Sequence, residues 1–143
     1  FPSQVKSLNY LNNIMAKIEA LDSGVPEAIM YNHEGYVAEA TGDNVFIVRD
    51  GVVLTPPIEA GGLPGITRTV VMRLARQKGI QVVEKNLTRY DLYVCDELFL
   101  TGTAAEVIGI VEIDGRHIGE GKPGPITRLL RETFDNYARG RGQ

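Results

Sequence analysis

The chain has 143 residues, 43% of them apolar, which is enough for one ordinary domain with its own core. A net charge of −3 excludes a general electrostatic pull toward nucleic acid or an anionic membrane, and a single cysteine, Cys95, excludes an internal disulfide framework. No apolar run reaches the roughly 18 residues of a membrane span, and neither His33 nor His117 has a second ligand at short spacing, so a cytoplasmic protein without a metal site is expected.

In chain order, Leu8 to Leu21 reads as an amphipathic helix, with Leu8, Leu11, Met15 and Ile18 near one face and Asp22-Ser23-Gly24 as its stop. From Glu27 to Leu54 the pattern changes to short strands, and Asp50-Gly51 is a strong two-residue hairpin signal. A proline- and glycine-rich loop from Pro56 to Gly65 leads to a helix over about Thr67 to Lys78, closed by Gly79. Gln81 to Lys85 reads as a strand and Thr88 to Tyr93 as a short helix capped by its threonine. Glu97 to Thr101 is a further strand, and Val107 to Ile113 with Asp114-Gly115 starts another hairpin. The last helix runs from about Pro125 to Tyr137, with Ile126, Leu129, Leu130, Thr133 and Phe134 as its buried stripe. Strands and helices alternate irregularly, without the βαβ rhythm of a dinucleotide-binding sheet, so one α+β or barrel-like domain is expected.

Chemistry-bearing residues fall in four segments. Lys6 lies in Val5-Lys6-Ser7-Leu8-Asn9-Tyr10, and spacing alone makes it an ordinary solvated lysine and Tyr10 a half-buried aromatic. Glu39 lies in Gly35-Tyr36-Val37-Ala38-Glu39-Ala40-Thr41-Gly42-Asp43-Asn44, where by itself it reads as a strand-end carboxylate before a tight turn. In Leu63-Pro64-Gly65-Ile66-Thr67-Arg68 a glycine runs straight into a helix start, whose free N–H groups and positive dipole end suit a phosphate. Arg68, one residue into that helix, is expected to point outward. Thr101-Gly102-Thr103-Ala104-Ala105-Glu106 offers consecutive N–H groups as an anion-binding nest, or simply a tight turn closing a core strand. Adjacent Asp96 and Glu97 would point to opposite faces of a strand and form no acid–base pair. Asp43 and Asp50 complete no calcium loop, and Cys95 reads as a small buried residue.

Together, in this order and spacing, the four segments resemble those of the class IV aminotransferases (fold-type IV pyridoxal-phosphate enzymes), and of branched-chain aminotransferases in particular. The resemblance runs from Lys6 through the last helix. It implies an α+β fold, with mixed strands in a barrel-like sheet and flanking helices, as in that family's larger C-terminal domain. The smaller N-terminal domain, which supplies the family's phosphate arginine and part of the substrate pocket, would then lie outside these residues. Lys6 would carry pyridoxal 5'-phosphate covalently and act as the base, a task that needs an amine neutral near working pH. Tyr10, expected one helical turn away, would bind the cofactor's phenolic oxygen, and Glu39 would keep its ring nitrogen protonated. The N–H groups of Ile66 and Thr67, with Thr103, would hold the phosphate, while Thr103 and Ala104 would receive the substrate carboxylate.

The implied reaction is transamination between leucine, isoleucine or valine and 2-oxoglutarate, in a homodimer or higher homo-oligomer. D-amino-acid transaminases and aminodeoxychorismate lyases share the fold and the lysine, but usually differ in the two turns at Thr41-Gly42-Asp43-Asn44 and Gly102-Thr103-Ala104-Ala105. A reading of another class makes these residues a cofactor-domain fragment or assembly module without catalysis of its own.

Overall fold

The computed structural model describes residues 8–19, 27–62, 64–102 and 106–141. Strand β1 (Leu8–Ile18) is followed by β2 (Glu27–Asn32), β3 (Val37–Ala40), β4 (Asn44–Arg49) and β5 (Val52–Thr55). A 3-10 turn at Ile58–Ala60 leads to helix α1 (Ile66–Gln77), then to β6 (Val82–Glu84), α2 (Arg89–Val94) and β7 (Glu97–Thr101). β8 (Val107–Ile113), β9 (Arg116–His117) and α3 (Pro125–Asn136) complete the order, with a π-helical turn at Tyr137–Arg141.

Turn chemistry sets the hairpins. Asp50 and Gly51 hold φ of 52° and 80°, the left-handed pair that a tight connection between twisted strands needs, and Asp114 and Gly115 do the same at 48° and 77°. α2 starts at a full capping box, in which the Thr88 hydroxyl accepts from the Asp91 N–H and the Asp91 carboxylate accepts from the Thr88 N–H.

The strands form one mixed sheet in the order β3-β2-β1-β8-β7-β4-β5-β6, with β9 paired to β8. Among the described strands only β5 and β6 pair in parallel, joined by the crossover helix α1. β4 and β7 lie inside the sheet and β7 is buried along its whole length. Because side chains alternate faces, these two strands feed two cores. Val45, Ile47, Leu98 and Leu100 pack with Ile29, Ile110, Ile113 and Leu92 on one side. Phe46, Val48 and Phe99 pack on the other against Val71, Leu74 and Ala75 of α1 and Leu130 and Phe134 of α3. Phe46 and Phe99 are cross-strand partners, and their rings stack with centroids 4.9 Å apart.

The α+β class stands: the expected barrel-like mixed sheet with flanking helices is present, and it is open rather than closed, its path ending at β3 and β6. Its ends curl toward each other, since the Val37 N–H donates to the Leu87 carbonyl, just beyond β6, at 2.8 Å. Two expectations are corrected. Leu8 to Ile18 is a strand rather than a helix, with a register break against β2 between Asn9 and Ile14. Extra residues in one strand displace its apolar positions from strict alternation, and the result imitates a spacing of three or four. In α3 the buried stripe is Thr127, Leu130 and Phe134, while Leu129 is exposed.

Glu97 explains the rotation of that stripe. Its buried carboxylate accepts from the Thr127 hydroxyl and N–H, both at 2.7 Å, and from the Ile126 N–H at 3.2 Å. A negative charge thus closes the N-terminus of α3, where no side chain of the helix cap itself does so. Replacing Glu97 with Ala should strand these donors and lower stability by about 2–3 kcal/mol, with a smaller loss for Glu97→Gln, as read from urea unfolding midpoints.

Candidate active site

β3, β4, β7 and α1 meet at one end of the sheet. Asn44, the first residue of β4, pairs with Thr101, the last of β7. Before Asn44 the chain makes a tight reversal: Thr41 and Gly42 hold φ of 32° and 89°, and Ala40 and Asp43 exchange backbone hydrogen bonds. Gly65, the N-cap of α1, lies so close to the Asn44 side-chain oxygen that a Cβ there would overlap it, and Gly102 lies closer still to the Asp43 carboxylate. Gly62 packs on the Ala38 carbonyl, with room for no side chain, beside the Cβ of Glu39. Three glycines therefore let the loop before α1 and the end of β7 close onto the β3–β4 turn.

α1 begins without a side-chain cap. Its first accepted bond is from the Thr69 N–H to the Gly65 carbonyl, so the N–H groups of Ile66, Thr67 and Arg68 have no acceptor within the helix. The Ile66 side chain is 84% exposed, leaving the backbone as that residue's contribution. The Thr67 hydroxyl donates to the Gly102 carbonyl at 3.2 Å, so it joins the helix start to the end of β7. Thr101 Oγ1 is buried beside this junction and has no hydrogen-bond partner among the described residues.

Glu39, in β3, is half-buried and pairs across the sheet with Met30 of β2. Burial first, and the Glu39 charge second, push the Asp43 carboxyl above its usual range. Two carboxylates thus share the space near the positive end of α1. Cys95 stays outside this chemistry: burial pushes its thiol up to about 12, and its sulfur donates to the Leu92 carbonyl.

Of the residues expected at the site, Glu39, Ile66 and Thr67 come together at this end of the sheet. Lys6, Thr103 and Ala104 lie outside the described residues, although Gly102 brings the chain to the edge of the Thr103 segment. Tyr10 lies in β1, so the one-turn helical proximity to Lys6 is replaced by strand geometry. The irregular stretch of β1 between Asn9 and Ile14, which includes Tyr10, falls across from Met30, the partner of Glu39. Arg68 does not point outward. It is 6% exposed, and its guanidinium donates to the Pro56 carbonyl at 3.1 Å and to Glu84 at 3.2 Å. Asn44, Thr101 and Gly62 were not singled out by sequence reasoning; the signal that could have pointed to Gly62 is the Gly61-Gly62 pair within the proline- and glycine-rich loop, which permits close backbone approach.

The model of the family described as amino-transferase class IV matches residues 1–113. The chain belongs to this family. A putative branched-chain-amino-acid aminotransferase from Methanocaldococcus jannaschii is 55% identical over 130 residues, which are 91% of this chain and 45% of that protein. The branched-chain-amino-acid aminotransferase of Pseudomonas aeruginosa is 47% identical over 132 residues, 92% of this chain and 43% of its own. Among solved structures, a T.th. branched-chain amino acid aminotransferase complexed with N-(5'-phosphopyridoxyl)-L-glutamate superposes with a TM-score of 0.79 at 46% identity, covering 86% of this chain and 40% of that one. This class IV aminotransferase chain spans less than half the length of the curated relatives it matches. Among its described residues no helix is long and apolar enough to cross a membrane.

The shared space of Asp43 and Glu39 has a readable consequence. An aspartate with a raised native-state pKa binds its proton more tightly in the folded chain than in the unfolded one. It therefore favours folding at acidic pH, and this contribution is lost as pH rises from the usual aspartate range through the raised native value. Glu39→Gln should move the Asp43 midpoint downward in a carboxyl NMR titration, and Asp43→Asn should gain stability over the parent as pH rises through that window. An Asp43 midpoint unmoved by Glu39→Gln would rule out the coupling.

Proposed function

We propose that these residues form the cofactor-bearing C-terminal portion of a branched-chain aminotransferase, which moves an amino group between leucine, isoleucine or valine and 2-oxoglutarate. The observation that carries this reading is the convergence of Glu39, the open N-terminus of α1 and the end of β7 at one edge of the sheet. Family membership, the relatives' being branched-chain aminotransferases and the phosphopyridoxyl-glutamate held by one solved neighbour support it.

The residues present suit pyridoxal phosphate. The N–H groups of Ile66 and Thr67, without an acceptor among the described residues, and the positive end of α1 match a phosphate dianion, and three close-packed glycines leave the backbone itself to form the seat. A half-buried carboxylate at Glu39 matches a protonated ring nitrogen. When bound, the cofactor supplies an electron-accepting ring and carries the amino group. Within the chain, Lys6 holds the cofactor and, when its amine is free and neutral, takes the proton from the substrate Cα. Tyr10 orients the cofactor's phenolic oxygen from β1, and Thr103 adds a hydroxyl to the phosphate seat. Thr103 and Ala104 receive the substrate carboxylate on backbone N–H groups, and the small side chain of Ala104 leaves room for an aliphatic substrate. The phosphate arginine and the rest of the substrate pocket come from a smaller N-terminal domain, in an assembly of two or more copies. The cytoplasm is the matching compartment.

Pyridoxal phosphate added to the 143-residue chain should give a visible absorption band that Lys6→Ala abolishes, while leucine with 2-oxoglutarate should turn over slowly or not at all. Robust turnover by this chain would overturn its dependence on a further domain. A band unchanged in Lys6→Ala would overturn the cofactor assignment itself.

A further inference from the structure

Arg68 is an unusual residue for the first turn of a helix. A positive charge there adds to the positive end of α1 instead of offsetting it, and that turn holds no acidic residue. Its guanidinium is nevertheless buried, and the carboxylate that pairs with it, Glu84, has a side chain 46% exposed. Burying a charge is costly unless its bonds are well made. The geometry shows what those bonds join. Pro56 follows the last residue of β5 and Glu84 is the last residue of β6, so one guanidinium ties the carboxyl ends of the parallel pair to the first turn of α1. The loop between Pro56 and Gly65 is fixed twice more, by the Asn32 amide donating to the Ala60 carbonyl at 2.9 Å and by Gly62 against the Ala38 carbonyl. Arg68 holds its beginning to its end.

We propose that Arg68 is the positioning residue of the phosphate seat. By clamping Pro56 and Glu84 under α1, it fixes the direction of the open N–H groups of Ile66 and Thr67 relative to Glu39. Its buried charge also raises the preference of that helix end for an anion. Arg68 reaches the ligand through the loop and the helix, not by contact. The inference rests on the reading that this helix end receives the cofactor's phosphate.

Pyridoxal phosphate and pyridoxal, which lacks the phosphate, separate a seat effect from a general structural one. Both are titrated into the parent chain, Arg68→Met, Arg68→Lys and Glu84→Gln, following the Lys6-dependent band, with thermal unfolding recorded in parallel. Arg68→Met should weaken pyridoxal phosphate about tenfold and leave pyridoxal within about twofold. Arg68→Lys should recover part of that loss, and Glu84→Gln, which keeps the Pro56 bond, should stay within about twofold for both ligands. Equal weakening of both ligands by Arg68→Met, or no weakening of either, overturns the role. If Arg68→Met does not fold, Arg68→Lys decides: a loss confined to pyridoxal phosphate supports the role, and any other pattern sinks it. A parent chain without a Lys6-dependent band for either ligand fails the functional reading, and this inference with it, whereas a band indifferent to Arg68 fails the inference alone.

Discussion

The antiparallel pairing of Asn44–Val48 with Glu97–Thr101 is the constraint from which the rest of the structure follows. Its side chains fill both cores, and its two ends do different work. At one end Glu97 closes α3, while Asp96 accepts from the Asp50 N–H and so holds the β4–β5 turn. At the other end Asn44 and Thr101 lie side by side, with Asp43 and Gly102 just beyond them. The adjacent carboxylates of Asp96 and Glu97 serve different elements, as alternation along an extended chain requires, and both are structural. A slip of this register by one residue would exchange the two cores and separate the candidate site's components together.

At the site, opposing electrostatic tendencies are held in contact. Burial raises the cost of ionising Asp43, and the Glu39 charge adds to it. Across the contact of Asn44 with Gly65, the uncapped end of α1 and the buried Arg68 accumulate positive potential. Neither group is arranged for the greatest stability of the chain by itself. A ligand with a protonated ring nitrogen at one end and a phosphate at the other would relieve both tensions at once. That correspondence of charge, rather than any single residue, makes the reading as a cofactor seat physically coherent.

Features governed by local chemistry were legible in the sequence. Asp50-Gly51 and Asp114-Gly115 dictate their turns because they tolerate positive φ, and Thr88 starts α2 because its hydroxyl meets a nearby N–H. The strand before the turn that carries Glu39, and the helix start at Gly65-Ile66-Thr67, could be read because their signals are contiguous. What stayed hidden depends on distant partners. Arg68 turns inward toward Pro56 and Glu84, which its own helix periodicity does not reveal. Thr127 displaces Leu129 from the buried stripe because Glu97, in another strand, needs its hydroxyl. β1 imitated a helix because its register against β2 breaks partway, a property of the pair and not of the strand. The barrel-like sheet was legible as a class, but where it stays open was not: its ends meet at the Val37–Leu87 hydrogen bond without a continuous ladder between β3 and β6.

The parallel pair β5–β6 has a consequence for the order of assembly. β5, α1 and β6 are consecutive along the chain, and the bonds of Arg68 to Pro56 and Glu84 fall within that stretch. Contacts of such short sequence separation lose little loop entropy and can form early. Glu39 belongs to a second sequence-local unit, the antiparallel run β1–β2–β3, in which it pairs with Met30. The two halves of the candidate site therefore lie in separate sequence-local units, which the sheet joins only through β8 and β7, between β1 and β4. Completing the candidate site would then wait on the late strands β7 and β8, whichever half formed first.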